Sequence, residues 1–115
     1  MTIDPSFKFQ VTKVLEDYCE QKVPQRVRDK VRLVHRWRGT KVMLVEQRPY
    51  WKDATAPWIE SPVAQFRYHD DTNDWTLFWR DRNQRWHAYE PHPGARSITR
   101  LLAEVDQDPT GIFWG

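Results

Sequence analysis

The stretch at residues 75–90 constrains the fold more than any other part of the chain. It reads WTLFWRDRNQRWHAYE and combines three tryptophans with a phenylalanine and a tyrosine. Apolar and polar residues alternate before and after a polar run at residues 81–85, which is typical of two strands joined by a turn. The stretch therefore predicts a β-hairpin. Gln84 stands where a glycine would fix the register, so Asn83 is the residue expected to adopt a positive φ in the turn.

The composition fits one domain over residues 1–115. Leu, Ile, Val and Phe make only 25 of the 115 residues, but a net charge of +2 is too small to favour disorder. Seven tryptophans supply much of the missing apolar surface, because each can bury on the order of 150–250 Å². We therefore expect a single core that is rich in aromatic rings.

One cysteine, Cys19, rules out an intramolecular disulfide and a cysteine-based zinc cluster. It stands at the edge of an apolar helical stripe, and no neighbour in sequence would lower its pKa, so we expect an inert, packed thiol. The sequence contains neither an apolar run long enough to span a membrane nor a signal peptide. These features predict a soluble protein of the reducing cytoplasm.

A helix is predicted at each end of the chain. Asp4 and Pro5 form a helix start, and apolar residues at helical spacing continue it to residue 21. Near the other end, Ser97 caps a short helix that ends before Pro109. The apolar face of this second helix consists of Ile98, Leu101, Leu102 and Val105. The tail at residues 111–115, GIFWG, is apolar enough that we expect it to pack as well.

Positive charge is concentrated at residues 25–41. Seven Lys or Arg stand there against one acid, a local charge of +6, so the remainder of the chain sums to −4. The same region alternates as a strand and is followed by a second strand at residues 42–48. If Gly39 and Thr40 form a two-residue turn, Trp37 opposes Val42, His35 opposes Leu44 and Leu33 opposes Glu46. One face of this hairpin is then apolar, and the other is basic.

The remaining segments complete a meander. Residues 48–62 contain three prolines and show no periodicity, which predicts a long loop. Residues 63–69 alternate again, with Gln65, Arg67 and His69 on one side, and residues 91–95 are expected to break the sheet. The fold class is therefore α+β: an N-terminal helix, a five-stranded antiparallel meander and a short C-terminal helix. Both helices should cover the apolar face and leave the basic face open.

Several motifs resemble a known family. The stretches EQRPYW at residues 46–51, SPVAQFRY at 61–68, WTLFWRDRNQRWHAYEP at 75–91 and the closing FWG are similar to a family of small bacterial proteins, domain of unknown function number 3024. In related sequences a glycine follows RDRN, where this chain has Gln84. The resemblance covers nearly the whole chain and implies a bacterial single-domain protein. It implies no activity that can be assigned to a residue.

Protein binding is the first functional hypothesis. Trp51 and Trp58 lie in the long proline-containing loop, and tryptophan and arginine dominate binding hot spots. The competing interpretation is that both rings fill the core. On this hypothesis the chain is a small non-enzymatic module that recognises a protein partner through this loop or through an open sheet edge.

Nucleic-acid binding is the alternative. The basic residues proposed to contact phosphates are Arg32, Arg36, Arg38, Lys41, Arg82 and Arg85, with Arg80 continuing the surface. Interleaved rings of Trp37, Trp79 or Trp86 could stack on unpaired bases. A solvated sheet face, with arginines paired to acids or lying over tryptophans, is the competing structural interpretation.

A hydrolase or nuclease centred on His35 and Glu46 is the third hypothesis, because the two would be diagonal neighbours on one face of the first hairpin. A structural contact, with Arg48 neutralising Glu46, is the more ordinary interpretation. No metal site is predicted, since the spacing of His87 and His92, with His69 nearby, matches no ligand pattern. No cofactor or small-molecule ligand is predicted either, and the chain is expected not to be an enzyme.

Overall fold

The computed structural model describes residues 3–114 and confirms an α+β fold. The elements are α1 (Pro5–Lys22), a single 3-10 turn (Gln25–Val27), β1 (Arg32–Arg38), β2 (Lys41–Arg48), β3 (Ile59–His69), β4 (Asp74–Arg80), β5 (Trp86–Ala88), β6 (Gly94–Ala95) and α2 (Ile98–Gln107). Strands β1 to β5 follow one another across the sheet in chain order, every pair antiparallel. The predicted meander is therefore confirmed, with β6 added to it.

The first hairpin has the predicted register. Trp37 pairs with Val42, His35 with Leu44 and Leu33 with Glu46. Gly39 has a φ of +60° while Thr40 does not share the positive region, which is the pattern of a type II′ turn with glycine at its first central position. The right-handed twist of the two strands matches this turn, so the register is fixed locally.

The predicted loop at residues 48–62 is too long at its C-terminal end. Strand β3 begins at Ile59, and Pro62 lies inside it, opposite Val45. The pairing shifts register between Leu44 and Val45, and β4 pairs only with the part of β3 from Ala64 onward. Proline is tolerated here because it lies at a bulge, where one flank of the strand has no ladder bond to lose. The loop itself covers residues 49–58.

The turn between β4 and β5 corrects a second prediction. Gln84, not Asn83, has the positive φ, at +66°. Asp81 accepts a main-chain bond from Gln84 (2.9 Å) and donates its own N–H to the carbonyl of Arg85 (2.9 Å). This is a type I turn followed by a left-handed residue, the arrangement in which glycine is usual at the last position. The glycine expected there is replaced by a residue that adopts the same conformation at a cost.

Residues 91–95 do not only break the sheet. Gly94 and Ala95 form β6, which pairs with the first part of β4, while β5 pairs with the last part. A Cβ on Gly94 would lie 2.7 Å from the carbonyl oxygen of Trp75, so glycine allows the close approach of this strand. One edge of β4 is thereby covered along most of its length.

Both helices pack on one face of the sheet, as predicted. The core combines Val11 and Leu15 of α1 with Leu101 and Val105 of α2 against the inward-facing side chains of the strands. Trp75, wholly buried, is the centre of an aromatic cluster; its ring centroid lies 5.0 Å from that of Tyr68, 6.2 Å from Phe7 and 6.4 Å from Trp37. Tryptophan thus supplies the core volume for which aliphatic residues are too few.

The helix caps are those expected from sequence. The Asp4 carboxylate accepts the N–H of Phe7 (3.1 Å), and the Ser97 hydroxyl accepts that of Thr99 (3.2 Å). Cys19 is buried in α1, and burial raises the pKa of its thiol to about 11, in keeping with an inert side chain. Because a thiol with such a pKa stays protonated near neutral pH, it has no nucleophilic character there.

The apolar tail packs against α2. The Asp108 carboxylate, just beyond α2, accepts the N–H of Phe113 (3.1 Å) and of Trp114 (2.8 Å). The indole of Trp114 donates to the carbonyl of Val105 (2.9 Å), and Phe113 is buried against Tyr89. The prediction for the tail is confirmed to residue 114; Gly115 lies outside the described residues.

Candidate nucleic-acid interface

The sheet face turned away from the helices, here called the open face, is strongly basic. Strand alternation and the pairing register place on it the side chains of Arg32, Arg36, Arg38, Lys41, Arg67 and Arg80, with Glu60 and Asp74 as the acids. These charges leave a formal +4 on one face of a chain whose total is +2. The acidic residues of the protein are therefore concentrated elsewhere, and the open face has a positive potential of its own.

Arg38, Lys41 and Arg67 form a basic row across three strands. Arg38 pairs with Lys41 in the register of β1 and β2, and Lys41 pairs with Arg67 in that of β2 and β3. Within residues 3–114, neither Arg38 nor Lys41 lies within 4 Å of a carboxylate, and both are exposed. Two of the predicted phosphate-binding residues are thus available to an external anion.

Arg67 is stacked on an aromatic ring beside this row. Its guanidinium carbon lies 3.6 Å from the centroid of Phe78, and its Nε donates to the Gln65 amide oxygen at 2.7 Å. Burial lowers the pKa of Arg67 from its ordinary value, which reflects partial desolvation of the guanidinium. An arginine stacked on phenylalanine can hold a further planar group on the other side of its guanidinium plane.

The other predicted arginines of β1 are already engaged. Arg36 forms a salt bridge with Glu60, and the hydrogen bond from Arg36 is the main cause that lowers the pKa of that carboxyl. Arg32 lies over the indole of Trp58, 3.9 Å from its centroid, and donates to the carbonyl of Arg28 at 3.0 Å. Both arginines add to the potential of the open face, but Arg36 has an acidic partner that an incoming phosphate must compete with.

The predicted arginines near β5 lie at the opposite end of the sheet. Arg82 and Arg85 are exposed in the turn after β4, and Arg80 pairs with Trp86. Arg80 stands four positions beyond Thr76, which pairs with Arg67, and four positions span about 13 Å along the strand. The predicted set is therefore not one cluster. It forms two groups, and Phe78 on the open face lies between them along β4.

The tryptophans proposed for stacking are divided between the two faces. Trp37 donates its indole N–H to the Thr12 hydroxyl (3.0 Å) on the helix side, and Trp79 is stacked with His87 (4.8 Å between centroids). Only Trp86 joins the open face, beside Arg80. Phe78, which sequence reasoning missed, takes the central position instead. The signal for Arg67 was present, since it alternates with the core residues Phe66 and Tyr68.

The loop tryptophans also differ from one another. Trp51 is 82% exposed, whereas Trp58 is half-buried beneath Arg32. The two residues of the predicted protein-binding pair therefore do not present one joint apolar surface.

The proposed acid–base pair lacks the contact that its chemistry needs. Glu46 accepts a hydrogen bond from Arg48 (2.9 Å), and among the described residues no hydrogen bond joins it to His35. His35 borders a cleft of about 340 Å³ whose lining residues do not include Glu46. The arrangement matches the structural contact with Arg48 that the sequence allowed.

The remaining histidines have separate partners. The ring of His69 lies 2.9 Å from the Thr76 hydroxyl, and that of His87 lies 2.6 Å from the carboxylate of Asp81. Over residues 3–114 no group of three or more His, Cys, Asp or Glu is placed to hold a metal ion. None of the helices described is long and apolar enough to cross a membrane.

A family sequence model matches residues 5–115, essentially the whole chain. The chain belongs to the DUF3024 family, described as a domain of unknown function. The resemblance inferred from the tryptophan-rich motifs is thereby confirmed. Searches of curated proteins and of solved structures gave no match. For this DUF3024 member, functional inference therefore rests on the surfaces of the molecule itself.

Proposed function

We propose that this DUF3024 protein is a non-enzymatic module that binds single-stranded nucleic acid on its open face. The observation that carries the proposal is a sheet face of formal charge +4 on which neither helix packs, and in which a guanidinium is stacked on Phe78 beside two exposed cations, Arg38 and Lys41. Phosphates supply the complementary charge, and unpaired bases supply the planar groups for stacking.

Each part of the ligand has a defined counterpart on this face. Arg38 and Lys41 contact phosphates, since both are exposed and unpaired with acids among the described residues. A base stacks on the outer side of the Arg67 guanidinium, which Phe78 supports from below. Stacking requires bases released from a duplex, so a single strand is preferred over double-stranded DNA or RNA.

The contacts of Trp58 and of Arg67 support nucleic-acid binding more than protein binding. A protein-binding surface built on Trp51 and Trp58 loses one of its two anchors, because Trp58 is already covered by Arg32. The basic face, by contrast, gains Arg67 and Phe78, and neither helix packs on it; Trp58 of the loop lies against it only at Arg32. The open face therefore offers more contacts to a nucleic acid than the loop offers to a protein.

Fluorescence anisotropy with labelled single-stranded DNA and RNA of about 15 nucleotides tests the proposal. With about four phosphate contacts, log K should fall with log salt at a slope of about −3, a loss of roughly 50-fold between about 50 and 200 mM salt. The double variant Arg38→Gln/Lys41→Gln should flatten that slope by roughly 1 to 2 and weaken binding to all sequences alike.

The matched control removes the same charge from the helices. Lys13→Gln/Arg100→Gln changes two exposed side chains on α1 and α2 and should leave affinity within about twofold. Equal losses in the two double variants would reduce the effect to net charge and contradict a site on the open face. Absence of binding at the lower salt would remove the proposal altogether.

We also propose a bacterial, cytoplasmic setting for this function. The resemblance to small bacterial proteins and the single reduced, buried Cys19 support it. Fractionation of a source bacterium with an antibody to the protein is the test, and recovery outside the cytoplasmic fraction would contradict it.

A second candidate, protein binding, rests on the exposure of Trp51. Trp51 lies in the loop after β2 and is 82% exposed, and tryptophan is a residue type that dominates protein interfaces. Under this alternative, Trp51→Ala abolishes capture of a defined partner, whereas Phe9→Ala, which removes another exposed ring from α1, leaves capture unchanged. Moderate salt would change such binding little unless the partner is acidic.

A further inference from the structure

The outer edge of β1 is the longest free edge of the sheet as described. Strand β1 is the first in the sheet order and pairs on one side only, over all seven of its residues. At the other end of the sheet, the edge of β4 is covered in two short pieces by β5 and β6. A free edge of this length offers a template for another extended chain.

Three residues of β1 direct their main-chain groups outward. The closing pair of a two-residue hairpin, here Arg38 with Lys41, exchanges hydrogen bonds, and bonded and non-bonded pairs alternate from there. Leu33, His35 and Trp37 therefore point their N–H and C=O groups away from β2. Within residues 3–114 no other main-chain segment bonds to these groups.

The side chains of β1 reject a second copy of the same edge. If two β1 strands paired antiparallel about His35, Arg32 of each would lie directly opposite Arg38 of the other. Like charges directly opposite each other destabilise a strand pair, and this pairing would contain two such contacts. The arginines that deter self-association attract a strand of opposite charge, because they line the open-face side of the edge.

The helix side of the same edge has a different character. A cleft of about 340 Å³ runs between the second half of α1 and β1, with apolar walls from Val23, Leu33 and Cys19. Glu16 and Glu20 line it together with Arg28 and Arg32, so these four side chains bring no net charge to the cleft. An added strand thus meets arginines on the open-face side and a cleft with apolar walls on the helix side.

We propose that the β1 edge binds an extended peptide of alternating acidic and apolar residues as an added antiparallel strand. Main-chain bonds to Leu33, His35 and Trp37 hold the peptide. Its acidic side chains face Arg32, Arg36 and Arg38, and an apolar one enters the cleft. The proposal shares Arg38 with nucleic-acid binding and differs from it in its main-chain bonds, which lie at the edge of the sheet and not on the open face.

A synthetic peptide of about seven alternating Glu and Val residues tests this proposal by amide hydrogen exchange and NMR titration. The amides of Leu33, His35 and Trp37 should become protected by about tenfold or more, since they gain partners, while those of Val34 and Arg36 are already bonded to β2. A peptide with Lys in place of Glu should bind at least about tenfold more weakly.

N-methylation supplies the matched control and leaves the protein unchanged. Opposite residues of an antiparallel pair share a face, so the peptide N–H groups that point to β1 belong to the valines. Methylating the valine amides should abolish binding, and methylating the glutamate amides should not. The reverse result with the methylated peptides, or equal binding of the Lys peptide, would overturn the proposal. So would spectral changes confined to side chains of the open face, with no protection of the three amides. So would protection of the three amides that rises with protein concentration alone, since the edge would then hold a second copy.

Discussion

Trp75 and Phe78 stand three residues apart on β4, yet they face opposite sides of the sheet and have different surroundings. Trp75 is wholly buried among Phe7, Trp37 and Tyr68, whereas Phe78 is half-buried and covered only by the guanidinium of Arg67. Both are large aromatic residues in a tryptophan-rich hairpin. The two-residue alternation of the strand alone decides which ring fills the core and which is free to take part in binding.

The core and the open face can also be compared by the hydrogen bonding of their polar groups. The indole N–H of Trp75 is buried and has no hydrogen-bond partner among the described residues. An unpaired donor of this kind costs about 1–3 kcal/mol, so the core accepts Trp75 for its volume and not for its polar group. On the open face, the side chains of Arg38 and Lys41 are exposed to water or to a ligand, whereas the Nε of Arg80 is buried and, like the indole N–H of Trp75, has no partner among the described residues.

The largest expected effect is that of Trp75→Ala. Removing a fully buried ring from the aromatic cluster should lower the free energy of unfolding by about 3–5 kcal/mol, measured by urea denaturation. Trp75→Phe should cost much less, since it removes the unpaired N–H together with part of the ring. A loss below about 1 kcal/mol for Trp75→Ala would mean that this ring does not hold the two layers together.

The next effect in size is that of Phe78→Ala, and it should divide differently between stability and binding. The half-buried ring should contribute only about 1–2 kcal/mol to stability. Loss of the support under Arg67 should weaken single-strand binding by about 1–3 kcal/mol, roughly 5- to 150-fold. Denaturation and anisotropy on the same preparations measure the two quantities. If Phe78→Ala lost as much stability as Trp75→Ala and kept its affinity for the single strand, Phe78 would be a core residue like Trp75 and would have no role in binding.

Much of this contrast can be predicted from the sequence. The register of the first hairpin follows from Gly39 and the alternation around it, because a two-residue turn leaves only one pairing. Both helices follow from their caps and apolar stripes, as Asp4 and Ser97 show. Local signals of this kind suffice where a turn or a cap fixes the conformation.

The sequence fails where tertiary context decides. Pro62 reads as a strand breaker, and only the bulge opposite Val45 makes it acceptable inside β3. The central place of Phe78 depends on which side chains of β4 face the helices. The sequence did not determine this, because Gln84 stands in the turn where a glycine would have fixed the register. Strand β6 is too short to have a pattern, and the close approach of Gly94 to Trp75 defines it only in three dimensions.

A smaller effect is expected from Gln84→Gly in the turn that carries β5. Gln84 adopts a φ of +66°, which disfavours any residue with a Cβ, so glycine should raise the free energy of unfolding by about 0.5–1 kcal/mol. The bond from Arg80 to the Gln84 amide (3.3 Å) is lost, which limits the gain. Asn83→Gly, one residue earlier and outside the positive region, is the matched control and should not stabilise. If Asn83→Gly stabilised the protein and Gln84→Gly did not, the backbone strain would lie at Asn83 and not at Gln84.

The smallest effect is the response of this same turn to acid. It should distinguish the turn before β5, which is sensitive to acid, from the aromatic core, which is not. The Asp81 carboxylate accepts the N–H of Arg85 (2.9 Å) and of Asn83 (2.8 Å) and contacts His87, and the bond from Arg85 is the main cause that lowers its pKa. A depressed pKa means that the carboxylate stabilises the fold fully above the pKa of the unfolded chain, about 3.9. That contribution is lost as the pH falls through the lower folded value.

Acid should therefore loosen the turn before it affects the aromatic core. We expect the amides of Asn83 and Arg85 to shift and to lose protection, relative to their intrinsic exchange rates, as the pH falls below about 4, while that of Leu77 stays protected; two-dimensional NMR follows all three. Asp81→Asn keeps an acceptor oxygen without the titrating charge, so its turn amides should show no such transition in that window. A transition of equal size in Asp81→Asn would assign the acid response to another group and show that the turn and the core respond to acid together.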